Sequence, residues 1–458
     1  MFLIYFVSFV APKALVVKSR GCSLDNQTFT LINIAVMTGV MWFIPLQFIP
    51  VFIWLERKGS AIIQDRTGPN RAEIFGVRLF GMVHNFADVI KLLMKENITP
   101  SHANKFYYWL APFWSMTVSL LPLLIIPLAA PMEFGGHQIR FQAANFSVGV
   151  LYILSITSMG VFGVILAGWA SNNKFSLLGG LRSSAQMISY ELSMGLAIVG
   201  LLMVYQGVKV DGIVETQGRL LTWAGHTLSL PNWGLFLQPV GFLIFLVASF
   251  AETNRNPFDL AEGESELVAG YHIEYSSVKF ALFFMAEYSN MVVAAFLIST
   301  LFLGGYQVPF APTEVLLQKP QLTLLLLCLG GIVGGALLGT ILYIGAQDQK
   351  KLYTGMKRWE PYILSSAGFG IAGLAAILLF LSFVVTFPAW SAGVLTALLQ
   401  MICLLVKVLF FCWLFVWVRW TMPRFRYDQL MNLGWKLMLP IALLNLLVTG
   451  VVLLVQKQ

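Results

Sequence analysis

The chain alternates between long apolar runs and short polar connections. Ten apolar runs are long enough for a helix to cross a hydrocarbon core about 30 Å thick, at about 1.5 Å per residue. The predicted spans are 29–55, 106–131, 146–169, 186–206, 232–251, 279–303, 322–345, 362–387, 393–418 and 436–455. Because lipid cannot satisfy exposed backbone groups, this pattern predicts an all-α fold, a polytopic transmembrane helical bundle.

Segment 81–95 repeats apolar residues at helical spacing but carries too many charges to span. His84, Asp88, Lys91 and Lys95 fall on one predicted face, opposite a face of apolar residues. The pattern predicts an amphipathic helix lying in the membrane interface. Two roles fit this segment. It either anchors the chain to lipid headgroups or covers the entrance through which an amphipathic ligand enters the protein.

Glycines repeat every four residues in the span 322–345. One set comprises Gly331, Gly335 and Gly339, and a second comprises Gly330 and Gly334. Such spacing allows two helix backbones to approach closely, so we expect tight packing against a neighbouring helix.

The distribution of basic residues predicts the orientation of the bundle. The chain carries a net charge of +8, and only 11% of its residues are charged. Suppose that the loop 56–105 faces inward. The loops on that side of the membrane then hold 20 basic residues in total, and the loops and termini on the other side hold eight. The positive-inside rule then places both termini on the outer side. Lys407 is left over, inside a predicted span.

The cysteines and histidines of this sequence lack the spacings that are typical of redox or metal sites. The four cysteines, Cys22, Cys328, Cys403 and Cys412, form no CxxC pattern, and the histidines include no pair at metal-binding spacing within a span. We therefore expect no iron–sulfur cluster, zinc site or disulfide framework. Redox centres, if the system uses them, belong to partner subunits.

Acidic residues are concentrated in one loop. Residues 251–276, AETNRNPFDLAEGESELVAGYHIEYS, hold six of the chain's 21 acids: Glu252, Asp259, Glu262, Glu264, Glu266 and Glu274. Two further acids, Glu191 and Glu287, lie inside predicted spans near this loop. Buried charges are costly in lipid, so they face protein or water. They either hold the bundle together by interhelical hydrogen bonds or form a proton relay.

Four polar segments carry a resemblance to a known family. They are ERKGSAIIQDRTGPNR (56–71), GWASNNKFSLLGGLRSSAQMISY (168–190), the acidic loop, and RWTMPRFRYDQLM (419–431). Together they resemble the quinone-site membrane subunit of respiratory complex I, a family of proton-translocating NADH:quinone oxidoreductase components. The resemblance covers about residues 29–303 and 393–455.

The resemblance implies roles for particular residues. Arg57, Arg66, Asp88 and Lys91 would line a tunnel through which quinone, the substrate, enters from the bilayer. The implied proton-relay acids are Glu191, Glu252, Glu262, Glu264, Glu266 and Glu287. The chain would anchor the peripheral arm and contact other membrane-arm subunits, whereas flavin and iron–sulfur clusters would sit only in partner subunits.

The chain departs from the family in its number of spans. The family core has eight spans, so the region 304–392 is predicted to be an insertion with two extra spans. Residues 1–28 are predicted to be an interfacial or disordered lead-in. The core spans follow at 29–303, with inner loops 56–105, 170–185 and 252–278. The last two spans lie at 393–458, with inner loop 419–435. The length favours the bacterial cell inner (plasma) membrane over a mitochondrially encoded chain.

Two other functions remain open from the sequence. A related ferredoxin-driven quinone reductase or membrane-bound hydrogenase uses a similar anchor, although the complete 56–71 and 251–266 segments favour a quinone-reducing complex. A cation or proton antiporter would show internal repeats and broken helices. No repeat relates the two halves of this chain.

Overall fold

The computed structural model describes residues 26–66, 68–75, 78–134, 137–223, 226–260, 263, 267–350, 356–382 and 389–457. Helices make up most of these residues, and the predicted helical bundle is confirmed. The predicted lead-in falls almost wholly outside them, as do the predicted relay acids Glu262, Glu264 and Glu266.

Nine helices in the described part of the chain are long and apolar enough to cross a membrane. They lie at Thr28–Ile63, Lys105–Ile125, Gly149–Ala170, Lys174–Tyr205, Ser277–Phe302, Pro320–Gly345, Tyr362–Phe380, Ser391–Thr421 and Tyr427–Val455. Each corresponds to one of the ten predicted spans, so the chain is a multi-pass membrane protein.

The helices are numbered α1 to α15 in chain order. They are α1 (Asn26–Ile63), α2 (Val83–Met94), α3 (Lys105–Leu120), α4 (Gly149–Ala170), α5 (Lys174–Tyr205), α6 (Val210–Gln217), α7 (Gly234–Leu237), α8 (Pro239–Glu252), α9 (Ser277–Phe302), α10 (Thr313–Gln318), α11 (Pro320–Lys350), α12 (Met356–Ser382), α13 (Ala389–Thr421), α14 (Tyr427–Asn432) and α15 (Leu439–Lys457). A π-helical stretch, Leu433–Met438, joins α14 to α15.

Two short antiparallel hairpins also lie within the described residues. Strands β1 (Met132–Phe134) and β2 (His137–Ile139) pair Phe134 with His137, and β3 (Leu220–Trp223) and β4 (His226–Pro231) pair Trp223 with His226. The ring of His137 stacks on Phe29 at the start of α1, 4.6 Å between centroids. We call this end of the bundle the outer end, after the predicted orientation.

The predicted span 232–251 is shorter than expected. A break at Gln238 divides it into α7 and the 14-residue α8. Proline favours the first turn of a helix, and Pro239 starts α8. A 14-residue helix is about 21 Å long, less than the hydrocarbon core of about 30 Å. The acidic loop that follows is therefore drawn into the bundle, where Thr253, Arg255 and Asp259 are buried.

Two helices extend well beyond their predicted spans. Helix α1 continues to Ile63, so Glu56 and Arg57 lie on a helix although the sequence placed them in a loop. Helix α5 begins at Lys174, so most of the predicted loop 170–185 is helical. Apolar runs mark the part of a helix that lies in lipid, and these helices continue past it.

Helix α9 forms the centre of the core. Its residues from Met291 to Phe302 are all buried, and it packs against α1, α3, α8 and α13. Its outer end is closed by polar side chains: Lys407 Nζ donates to the backbone oxygens of Leu303, Gly305 and Gln307, each at 2.8 Å. The Gln217 amide also donates to the oxygens of Thr300 and Leu301, at 3.2 and 3.0 Å.

Helices α11 and α12 form an antiparallel pair within the region 304–392. The expected close approach is confirmed for one glycine set, because a Cβ added at Gly335 would lie 2.7 Å from the backbone nitrogen of Ala372. Ser365 Oγ also donates to the Gly339 oxygen at 2.9 Å. Gly330 and Gly334 face open space within the described chain.

Candidate functional site

A buried arginine joins two acids at the inner end of the bundle. Arg255 Nη1 lies 2.9 Å from Glu56 Oε2, and its Nε lies 3.1 Å from Glu287 Oε1. The guanidinium also lies over the ring of Tyr288, 3.7 Å from the centroid. The planar guanidinium can serve both carboxylates at once, because its donors point in different directions.

Glu56 receives two further contacts. The Tyr288 hydroxyl donates to Glu56 Oε2 at 2.8 Å, and Arg419 forms an ion pair with the other carboxylate oxygen. We call Glu56, Arg255, Glu287, Tyr288 and Arg419 the arginine-linked cluster. It joins α1, the acidic loop, α9 and α13.

The charge of Arg255 is fixed by this environment. Burial lowers the pKa of Arg255, but the neighbouring Glu287, Tyr288 and Glu56 raise it by more. The pKa therefore stands well above its ordinary value. Arg255 therefore stays protonated at every physiological pH, and any proton that moves in this cluster moves on another group.

The acidic loop is held against two other segments. Gln186 Nε2 on α5 donates to the backbone oxygens of Ala251 and Phe258, at 2.7 and 2.9 Å. Arg424 pairs with the buried Asp259 at 3.0 Å, and the Phe425 amide donates to the Pro257 oxygen at 3.0 Å. The part of the loop before Ala261 is thus a fixed structural element.

A polar cavity of about 290 Å³ lies beside the cluster, between the inner ends of α1 and α13. Its lining residues are Glu56, Arg57, Ser60, Ile63, Gln64, Arg419 and Trp420. The Trp420 ring lies directly against Gly59, where an added Cβ would overlap the indole. Glycine at this position therefore allows α1 and α13 to approach and shapes the cavity.

The predicted tunnel residues lie around this cavity and on the amphipathic helix. Arg57 lines the cavity and pairs with Asp88 of α2 at 2.5 Å. Arg66 Nε donates to Gln64 Oε1 at 2.6 Å, and Gln64 is itself a lining residue. Lys91 lies exposed on α2, three residues after Asp88. The prediction that 81–95 contains a helix is confirmed.

A second, smaller cavity brings predicted relay acids together. It has a volume of about 60 Å³, which is enough for a few water molecules, and Glu252, Glu287 and Asn290 are among its lining residues. Glu191 lies close enough to Glu252 for their charges to interact, and its carboxylate accepts a hydrogen bond from Ser158. We call this space the acid cavity, and the larger one the polar cavity.

Sequence reasoning missed four members of the cluster. Glu56, Arg255 and Arg419 entered only as parts of loops or as charges that set orientation, and Tyr288 was not considered. Three of these four residues lie next to or among residues that the sequence analysis did select as site candidates. Glu56 precedes Arg57, Tyr288 follows Glu287, and Arg255 lies in the acidic loop. Lys407 lies elsewhere, at the outer end of α9. Among the described residues no group of three or more side chains suits a metal ion.

Comparisons with known proteins agree with this architecture. The NADH dehydrogenase family model matches residues 35–340 and 353–450. The chain is 38% identical to the NADH-quinone oxidoreductase H-type subunit of Bdellovibrio bacteriovorus, over 90% of this chain and 94% of that protein. It is 42% identical to NADH-quinone oxidoreductase subunit 8 of Rhodothermus marinus, over 87% and 90% of the two chains.

Among these three relatives, the third aligns over the largest share of both chains. An NADH-quinone oxidoreductase H-type subunit of Solibacter usitatus is 42% identical over 93% of this chain and 97% of that protein. The family match runs through nearly the whole described bundle, including the cluster and both cavities. The chain belongs to the NADH dehydrogenase family.

Proposed function

We propose that this chain is the membrane subunit of a proton-pumping NADH:quinone oxidoreductase, in which it forms part of the quinone tunnel and couples quinone reduction to proton translocation. One observation carries this proposal. Arg255 pairs with Glu56, which lines the polar cavity, and with Glu287, which lines the acid cavity. A change of charge in one cavity therefore has a direct electrostatic path to the other.

The polar cavity has the chemistry that a quinone headgroup needs. Arg57 and Arg419 supply positive charge and hydrogen-bond donors for quinone oxygens, and Glu56 and Gln64 supply polar partners. The apolar side of α2, with Phe86, Val89 and Ile90 exposed, offers a surface to an isoprenoid tail. Electrons and their flavin and iron–sulfur carriers belong to partner subunits of the peripheral arm.

The coupling between quinone reduction and proton transfer follows from competition between negative charges for Arg255. Reduction of quinone needs two electrons and two protons, and it builds negative charge on the headgroup until those protons arrive. Negative charge beside Glu56 competes for Arg255 and weakens its hold on Glu287. The Glu287 carboxylate then takes up a proton more readily, and Glu252 and Glu191 extend the relay through the acid cavity.

The proposed setting is a bacterial plasma membrane. The chain would contact other membrane-arm subunits laterally and the quinone-site and iron–sulfur subunits at its inner end. The relatives named above are all NADH-quinone oxidoreductase subunits of bacteria, which supports an NADH-driven complex over a ferredoxin-driven reductase or hydrogenase.

The proposal is tested by replacing Asp88 with Asn in the assembled complex. Loss of the Arg57 partner should slow NADH:quinone reduction at least about tenfold, because the binding surface is disturbed. NADH oxidation by ferricyanide, which bypasses the quinone site, should not change. Glu314→Gln is the matched control, since it removes an exposed carboxylate at the outer end. A normal quinone rate in the Asp88→Asn complex would overturn the proposed tunnel.

A further inference from the structure

The inner end of α11 contacts the first polar loop of the chain. The Phe80 ring packs on Gly345, where an added Cβ would lie 3.6 Å from ring atoms. These two residues are distant in sequence, and α11 otherwise packs mainly on α12 and α13. The contact therefore links the α11–α12 pair to the segment that leads into α2.

Phe80 has a backbone conformation that neighbouring contacts must hold. Its φ of 59° and ψ of 19° lie in the left-handed region, which bulky residues rarely adopt. Two contacts hold this residue: Trp54 Nε1 on α1 donates to the Phe80 oxygen at 2.9 Å, and Gly345 lies beside the ring.

This turn sets where the amphipathic helix begins. Phe80 belongs to the 3-10 turn Leu79–Gly81, and α2 starts two residues later at Val83. The Val83 amide donates back to the Arg78 oxygen at 3.5 Å. A shift of the Phe80 ring is therefore transmitted within one helical turn to α2, which carries Asp88 and the exposed apolar face.

One partner of this contact lies outside the ranges that the family match covers, although Phe80 lies inside them. Gly345 falls within 341–352, between the two matched ranges. The bracing contact on the Phe80 turn is thus made by a segment that the family model does not include.

We infer that Gly345 is a positioning residue: the α11–α12 pair braces the turn at Phe80 and thereby holds α2 in the position that receives the isoprenoid tail of quinone. The inference rests on the proposed function and extends it to tail recognition. The brace acts through α2, and Gly345 itself does not touch the headgroup site.

The test compares Gly345→Leu with Gly334→Leu in the assembled complex. Both substitutions add the same side chain to α11, but only Gly345 faces Phe80, whereas Gly334 faces open space. With Gly345→Leu, KM for a long-tail quinone should rise about fivefold or more, while KM for a short-tail analogue changes by less than about twofold. Gly334→Leu should change neither value.

Amide hydrogen exchange gives a readout that does not depend on activity. Residues 78–94 should exchange roughly tenfold faster in Gly345→Leu than in Gly334→Leu, because the leucine atoms beyond Cβ displace the Phe80 ring and distort the turn. Phe80→Ala, which removes the contact without adding bulk, should reproduce both effects and serves if the leucine variant does not assemble.

The outcomes separate this inference from the proposed function. Equal changes for long-tail and short-tail quinones, or exchange in 78–94 that matches the Gly334→Leu control, would refute the brace. If Asp88→Asn slows quinone reduction and Gly345→Leu and Phe80→Ala do not alter tail dependence, only the brace fails. A normal quinone rate in Asp88→Asn overturns the proposed tunnel itself, on which the brace depends.

Discussion

Arg255 carries more of the site than any other single residue. It is only 5% exposed, yet it neutralises two carboxylates that are themselves largely buried. Its removal would leave Glu56 and Glu287 in low dielectric without their shared partner. The residue therefore has a structural and an electrostatic role, and the two can be separated by different substitutions.

Replacing Arg255 with Met should destabilise the chain by about 3–5 kcal/mol, the usual effect of removing one partner from a buried ion pair. The thermal midpoint of the purified complex measures this loss. Arg255→Lys should restore stability only in part, because an ammonium group lacks the forked donors that reach both acids. The exposed pair of Arg426 and Asp428 gives a control: Arg426→Met should shift the midpoint little.

Glu287→Gln should separate electron transfer from pumping. The amide keeps the shape of the side chain but cannot carry a proton, so the ratio of protons pumped to NADH oxidised should fall at least about twofold. That ratio is measured in sealed vesicles with a pH-sensitive dye. Glu314→Gln, at the outer end, should retain the full ratio, and a full ratio in Glu287→Gln as well would exclude this acid from the relay.

Gly59→Ala tests the shape of the polar cavity. The new methyl group would overlap Trp420, so the indole must shift and change the shape of the cavity that it lines. We expect NADH:quinone reduction to fall about tenfold, while ferricyanide reduction stays normal. Gly39→Ala, on the same helix with open space around it, is the matched control. Equal quinone rates in the two variants would show that the cavity does not bind the substrate.

At the scale of elements, basic side chains hold α9 at two places. Arg255 pairs with Glu287 near the middle of the helix, and Lys407 binds the carbonyl groups that follow its outer end. Positive charge is favourable at a helix C-terminus, where backbone oxygens lack helical partners. The helix that carries Glu287 is therefore anchored near its middle and at its outer end.

Lys407→Met should loosen the outer end of α9. Three partly buried carbonyl oxygens would lose their shared donor, and the expected destabilisation is about 2–4 kcal/mol. Thermal unfolding of the complex gives the value. Lys319→Met, an exposed lysine near the same end, should have almost no effect. An unchanged midpoint in Lys407→Met would mean that water replaces the ammonium group without loss.

Elements were the most predictable level of this structure. Apolar runs located the spans because lipid requires continuous helices, and the charged stripe of 81–95 identified α2. The same reasoning failed at helix ends, where α1 and α5 continue into polar sequence. It also gave 232–251 a full span, because an apolar run does not show how Pro239 divides it into α7 and α8.

At the scale of the whole molecule, the site depends on pairings that sequence order conceals. Arg255 and Glu56 are 199 positions apart, and Tyr288 and Glu56 are 232 apart. Spacing within a motif cannot reveal such pairs, since they arise only when four segments pack together. The acids inside spans were identifiable because a lone charge in an apolar run is rare, whereas Arg255 was one charge among many.

The position of Arg419 has a consequence for how the protein is made. Its partner Glu56 lies on the first long helix, roughly 360 residues earlier, and translation at about 5–20 residues per second separates them by about 20–70 s. During that interval Arg255 is translated, 199 positions after Glu56, so in the later part of the interval Glu56 lacks only its second ion-pair partner. A chain truncated before Arg419 therefore leaves one carboxylate oxygen of Glu56 without its ion pair and lacks the α13 side of the polar cavity.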